Sequence, residues 1–218
     1  MKIILFSLTG FGNTVLPALL NIPDVWVTAV FTTIYKNKFP YYEEEALVDL
    51  CKRMKITCSG EKILNSVDLI KTLEPDLIIV ATFAQIVPRQ IINIPKFGIV
   101  NIHPSLLPKY RGPCPFYAVV KNKEKETGVS IHYLTEELDA GDILLQRSLP
   151  LSESDTENRV IQKTAVLAAS MIPDLIDLFR GGKIPQGWPQ DPRLVTYAPK
   201  VIRGDSVLRA YEENKGTV

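Results

Sequence analysis

Residues 76–81 read DLIIVA and residues 97–103 read FGIVNIH. After Asp76 the first stretch is apolar without interruption, the mark of a strand buried on both faces of a parallel sheet. The second is apolar as far as Val100 and then carries Asn101 and His103. Two residues apart on a strand, these side chains leave on the same side. An amide and an imidazole therefore emerge together at the carboxyl end of a buried strand, just before the Pro-rich run PSLLPKYRGP. In open parallel sheets that edge is where ligands bind.

Outward from these two strands the chain alternates. Lys2 to Ser7 and Val25 to Thr32 read as strands, separated by a Thr9-Gly-Phe-Gly-Asn turn and the helical pattern TVLPALLN. An irregular, aromatic and basic loop is expected over Tyr35 to Tyr42, and an amphipathic helix over Glu43 to Met54. A brief strand at Ile56 to Cys58 precedes a helix from Ser66 to Leu73, capped by Ser66. This alternation predicts a doubly wound α/β fold with a mostly parallel sheet. Thr127 to Leu134 and Gly141 to Leu149 read as two strands joined by a short turn, an antiparallel extension of that sheet. A long helix is expected from Asp155 to Phe179, kinked or split at Pro173 and ended by Gly181-Gly182. From Pro185 onward the composition predicts a tail lying along the surface. The whole reads as one domain over 1–200 and a tail over 201–218.

With 218 residues, 46% of them hydrophobic, the chain is long enough to bury a core of its own. A net charge of +1 argues against holding nucleic acid by phosphate neutralisation alone. The opening MKIILFSLTGFGNT lacks the apolar length and cleavage signature of a secretory signal, and no run reaches the about 18–20 apolar residues of a membrane span. The cytoplasm is the expected location. Cys51, Cys58 and Cys114 have no C-x-x-C spacing and read as ordinary thiols. His103 and His132 are the only histidines, so no structural zinc site and no metal is expected.

The Gly10-Phe-Gly12 turn invites a dinucleotide reading, but the full G-x-G-x-x-G is missing. Thr32 and Thr33 stand where an acidic residue would grip a ribose. Gly10 and Gly12 remain candidates for holding a substrate phosphate at a helix start, beside the plain reading of a strand–helix turn. Asn101, His103 and, from the downstream Leu-Asp-Ala-Gly-Asp turn, Asp139 are the groups that acyl transfer to an amine needs: an oxyanion donor, a proton carrier and its orienter. His132, in mid-strand between Ile131 and Tyr133, reads as structural, and Asp142 as an ordinary turn cap. Lys109, Tyr110 and Arg111 are either a solvated loop or a clamp for a charged acceptor. Ser105 is grouped with them as a substrate-binding candidate.

The string Asn101-Ile-His103-Pro-Ser-Leu-Leu-Pro108, then Arg111-Gly112-Pro, Glu126-Thr-Gly128-Val and Leu138-Asp139-Ala-Gly141-Asp142-Ile, resembles the folate-dependent formyltransferases. These act on methionyl-tRNA, nucleotide-linked amino sugars or glycinamide ribonucleotide, and have a Rossmann-like fold. The resemblance runs from the first strand to about Lys200, where Thr196-Tyr-Ala-Pro-Lys200 looks like a motif closing the catalytic domain. It implies 10-formyltetrahydrofolate as donor and Asn101, His103 and Asp139 as the catalytic residues. It also implies a folate pocket between Phe83, Gln85, Ile86, Val87 and Pro88 on one side and Thr135, Glu136 and Leu138 on the other. In the reaction so implied, an amine attacks the formyl carbon, and Asn101 and protonated His103 donate to the oxyanion. Asp139 raises the imidazole pKa and helps pass the proton to the leaving folate nitrogen. The loop over 34–42 departs from that of the tRNA enzymes, and the carboxyl-terminal barrel domain that helps those enzymes grip tRNA is not expected here, so the acceptor expected is a nucleotide-linked amino sugar, with charged initiator tRNA the alternative. A silent folate-binding module and a formyltetrahydrofolate hydrolase are the rivals from other classes.

Overall fold

The computed structural model describes residues 1–34 and 45–198. The expected loop over 35–42, residues 43 and 44 of the helix expected from Glu43, and the tail over 201–218 lie outside the described residues; Glu45 and Ala46 are not helical, and that helix begins at Leu47. The strands are β1 (Lys2–Ser7), β2 (Trp26–Phe31), β3 (Cys58–Ser59), β4 (Leu77–Ala81), β5 (Ile99–His103), β6 (Glu126–Tyr133) and β7 (Ile143–Pro150). They form one seven-stranded sheet in the order β3-β2-β1-β4-β5-β6-β7. The pairs from β3 to β5 are parallel, and β5–β6 and β6–β7 are antiparallel. The expected doubly wound sheet with an antiparallel extension is the fold observed.

The helices are α1 (Phe11–Leu20), α2 (Leu47–Arg53), α3 (Val67–Leu73), α4 (Arg89–Ile92), α5 (Pro115–Lys121) and α6 (Glu157–Phe179). Alternation along the strands divides the core in two. Ile3, Leu5, Leu77, Ile79, Val100, Ile102, Val129 and Ile131 pack with the buried faces of α1 and α6. Ile4, Phe6, Ile78, Val80 and Ile99 pack on the opposite side with Ile63, Ile70 and Ile91. Each fully buried aliphatic side chain of this kind contributes roughly 1.5–3 kcal/mol.

Two local expectations are corrected. Pro173 does not split the long helix: α6 is continuous from Glu157, with Thr156 as its cap, to Phe179. Proline removes one N–H, but Val160, Ala168, Met171, Ile172, Leu175, Ile176 and Phe179 on both sides of it are buried on one face, and that packing outweighs the lost bond. Ser66 makes no side-chain cap; it closes a 3-10 turn, Ile63–Ser66, that leads into α3. The expected stop at the glycine pair is observed, with Gly182 at φ 68 and its N–H donated to the Phe179 carbonyl at 3.1 Å. No helix among the described residues is long and apolar enough to cross a membrane.

Candidate active site

The antiparallel register of β5 and β6 sets Asn101 opposite His132 and His103 opposite Ser130. One row of paired residues crosses the sheet as Phe31, Phe6, Val80, Asn101 and His132. It is apolar in the parallel half and turns polar at the antiparallel edge. His132, which reads from the sequence as structural, has polar neighbours that its own strand does not show. His132 Nδ1 lies 2.8 Å from its neighbour's carbonyl, that of Tyr133, and Nε2 lies 3.1 Å from Asn101 Nδ2. Donation from Nδ1 to the carbonyl leaves Nε2 as an acceptor for the amide. The signal for it was present in the alternation of β6, where Ser130 and His132 interleave with Val129 and Ile131.

Asp139, in the turn between β6 and β7, closes the cluster. Its Oδ1 accepts from Asn101 Nδ2 at 3.1 Å and lies 3.7 Å from His132 Nε2. Its Oδ2 accepts from the Gly112 N–H at 2.8 Å and stands 3.5 Å from His103 Nδ1. The side chains of His103, His132 and Asp139 are only 5%, 2% and 11% exposed. The Tyr110 carbonyl lies 2.8 Å from His103 Nε2 and fixes the ring from its far side. The structure thus brings Asn101, His103 and Asp139 together and adds His132.

Burial acts on both ionisable partners. It pushes the His103 pKa down; Asp139 pulls upward, but His132 adds to the lowering and the net shift is downward. The expected rise from Asp139 is real as one contact and is outweighed by desolvation. Burial alone would raise the Asp139 carboxyl, yet His103, His132 and the Gly112 amide together hold it well below the usual carboxylate range. At neutral pH the pair is thus a carboxylate beside a neutral imidazole. With Nε2–H donated to Tyr110, the lone pair of His103 is on Nδ1, facing Asp139.

The other candidates separate. Ser105 is fully buried and donates its hydroxyl to the Lys109 carbonyl at 2.7 Å, so it braces the loop from within. Lys109 is exposed. Arg111 is not a solvated residue: it is 6% exposed, with its guanidinium on Gln190 and Glu137. Gly10 has φ 100 and gives its N–H to Asn13 Oδ1 at 2.9 Å. Gly12 answers to packing, since a Cβ there would lie 2.4 Å from Leu47 Cδ2.

The two loops expected to hold a folate are neighbours. Phe83 and Leu134 pack against the same core, and Arg89 and Glu136 form an ion pair at 3.0 Å. Ile86 and Leu138 are 52% and 48% exposed, apolar surface suited to an aromatic ring system. Val87 is buried in the core behind them, and Pro88 begins α4 as its cap. Gln85 is engaged by its side chain, accepting from the Ile63 N–H at 2.8 Å, which leaves its backbone for a ligand. A cavity of about 510 Å³ borders the β6–β7 turn. It includes Thr135 and Glu136 and none of the 83–88 loop.

The formyl transferase family matches residues 24–176 of this chain. Methionyl-tRNA formyltransferase of Halalkalibacterium halodurans is 43% identical over 66% of this chain and 45% of its own length. That of Ehrlichia canis is 36% identical over 81% and 60%. The chain spans about half the length of the curated relatives it matches. Phosphoribosylglycinamide formyltransferase from Bacillus halodurans superposes with a TM-score of 0.70 at 23% identity, covering 84% of this chain and 97% of that one. WlaRD, a sugar 3N-formyl transferase solved with dTDP and 5-N-formyl-THF, gives 0.70 at 19% identity, covering 91% and 69%. The solved structures carry the fold, and the family match covers well over half of the sequence. By that match, this chain belongs to the formyl transferase family.

Proposed function

We propose that this chain transfers a formyl group from 10-formyltetrahydrofolate to a primary amine, with Asn101, His103 and Asp139 as its catalytic residues. The observation that carries the reading is the Asp139 carboxylate, within 3.5 Å of both the His103 ring and the Asn101 amide at the carboxyl end of β5. The amine attacks the formyl carbon and an oxyanion develops. Both hydrogens of Asn101 Nδ2 are directed within the cluster, at His132 Nε2 and Asp139 Oδ1. The oxyanion takes the one aimed at Asp139. The amine's proton passes, through water, to His103 Nδ1, and the resulting imidazolium compensates Asp139 for the bond it gave up. The same proton then leaves with the folate nitrogen as the tetrahedral intermediate collapses. His103 is thus neutral before attack and a donor only afterwards. The donor's pterin lies between the Phe83–Pro88 and Thr135–Leu138 loops.

The acceptor best supported is methionyl-tRNA, ahead of the nucleotide-linked amino sugar that the 34–42 loop favoured. Sequence likeness carries that order, at 43% identity for a methionyl-tRNA enzyme. A net charge of +1 gives little long-range pull on tRNA, so such binding would rest on local contacts. The test is transfer of labelled formyl from 10-formyltetrahydrofolate to charged initiator tRNA, beside dTDP-, UDP- and GDP-linked amino sugars. Formylation of the tRNA supports this order. Formylation of a sugar alone reverses the acceptor and leaves the chemistry standing. Formate release that no amine accelerates would replace the transferase with a hydrolase.

A further inference from the structure

The turn that presents Asp139 is held in a costly shape, and a side chain from a distant part of the chain holds it. Asp139 has φ 50, in the left-handed region that residues with a side chain enter at a cost. Its carboxylate is useful only there, against His103, Asn101 and Gly112. Fifty-one residues on, Gln190 sits beneath the turn. Its Nε2 donates to the Asp139 carbonyl at 2.8 Å and to the Gly141 carbonyl at 2.9 Å. Its Oε1 accepts from Arg111 Nε at 3.0 Å and Nη2 at 2.8 Å. Two donor hydrogens and two acceptor lone pairs are all used, so the amide has one permitted orientation.

We propose that Gln190 is a positioning residue for Asp139, fixing the backbone of its turn, and that Arg111 orients Gln190 for this task. Arg111 stands between Tyr110, whose carbonyl faces His103, and Gly112, whose N–H donates to Asp139. Its own backbone is tied to the same carboxyl-terminal segment, with its N–H donated to Thr196 at 2.9 Å and its carbonyl accepting from Ala198 at 2.7 Å. The carboxylate and the carbonyl of Asp139 are thus gripped by one closed circuit, through Gly112 and through Gln190 with Arg111. Arg111 is accordingly not a clamp for an acceptor. The geometric claim stands alone; its kinetic consequence rests on the formyl-transfer reading.

Gln190→Ala and Gln190→Glu test it. The glutamate keeps an acceptor for Arg111, now as an ion pair, but sets a carboxylate oxygen against the two turn carbonyls. Both variants are expected to lose about tenfold to a hundredfold in kcat, the cost of a small misplacement near reacting atoms, with KM for the amine little changed. Exchange of the Gly112 amide hydrogen, followed by NMR, reads the position of the Asp139 carboxylate without any substrate. It is expected to quicken on the order of tenfold in both variants. Gln190→Glu with wild-type kcat and wild-type Gly112 exchange would reduce Gln190 to an anchor for Arg111 and overturn the proposal. If the wild-type protein transfers no formyl group to any amine, the transferase reading fails, while Gly112 exchange still decides the role of Gln190.

Discussion

The parallel half of the sheet and its antiparallel edge use the same two-residue alternation to different ends. In β1 and β4 both faces are apolar, and each residue from Ile3 to Phe6 and from Leu77 to Ala81 is buried in one core or the other. In β5 and β6 one face stays apolar, with Val100, Ile102, Val129 and Ile131 on α1 and α6. The other carries Asn101, His103, Ser130 and His132. Burying polar side chains side by side, Asn101 only in part, costs free energy unless each finds a partner, and the register together with the loop after β5 supplies them. His132 lies across from Asn101, while Ser130 donates to the Ser105 carbonyl at 2.6 Å and accepts from the Leu107 N–H at 3.0 Å. The site is one stripe of an ordinary sheet whose apolar residues have been exchanged for a satisfied polar set.

If that division is correct, substitutions in the two halves should separate stability from turnover. Ile79→Ala, in the fully buried middle of β4, is expected to cost about 2–5 kcal/mol by urea unfolding while the folded fraction keeps its kcat. A kcat that falls with stability would couple the halves more tightly than the packing implies. On the polar stripe, Asn101→Ala is expected to lower kcat about a hundredfold to a thousandfold, with His103→Ala and Asp139→Ala in the same range. Near wild-type turnover in all three would remove the catalytic assignment.

His132 tests how far the stripe extends. His132→Leu leaves one of the two Asn101 amide hydrogens without its acceptor, and a loss of about tenfold in kcat is expected, the usual effect of removing a residue that orients another. His132→Gln, which can still present an acceptor, should recover part of it. Equal loss in both would point to packing alone. The smallest effect is the pH dependence of stability. His103 is held below its ordinary value of 6.5, so below that pH the unfolded chain binds a proton that the native ring does not. Stability contributed by the buried neutral ring is then complete above about pH 6.5 and falls as the pH drops toward the native pKa. The slope is at most about 1.4 kcal/mol per pH unit for this one proton. Asp139, depressed from 3.8, adds stability above that value that is lost further into acid. Unfolding curves of wild type and His103→Gln between pH 5 and 7 should diverge; parallel curves would mean that the ring is not buried neutral.

The same contrast explains what was legible in the sequence. Continuous apolar runs such as Leu77–Ala81 announce strands because they need no partner to be recognised, and the parallel half followed from them. Asn101 and His103 were visible because two residues of one strand share a face by local geometry. The alternation of β6 shows only that His132 shares a face with Ser130; that it meets Asn101 lies in the register of two strands, which no single strand carries. Arg111 and Gln190, seventy-nine positions apart, were illegible as a pair for a similar reason: only the path of the segment after α6 brings them together. The split that Pro173 allowed does not occur because the packed face on both sides of it outweighs local propensity.

The pairing of β5 with β6 also sets where the chain tolerates a change in length. Because side chains alternate with a period of two, removing one residue inside β6 would send its polar set into the face held by α1 and α6 and turn Val129 and Ile131 toward the reacting atoms. The turn at 122–124, between α5 and β6, precedes the ladder, whose outermost bond runs from the Leu151 N–H to the Lys125 carbonyl, and residues added there would leave every strand pairing intact. Across divergent homologues, length variation should therefore collect in such connections, while the spacing from Gly128 to His132 stays constant even where the identities around it drift.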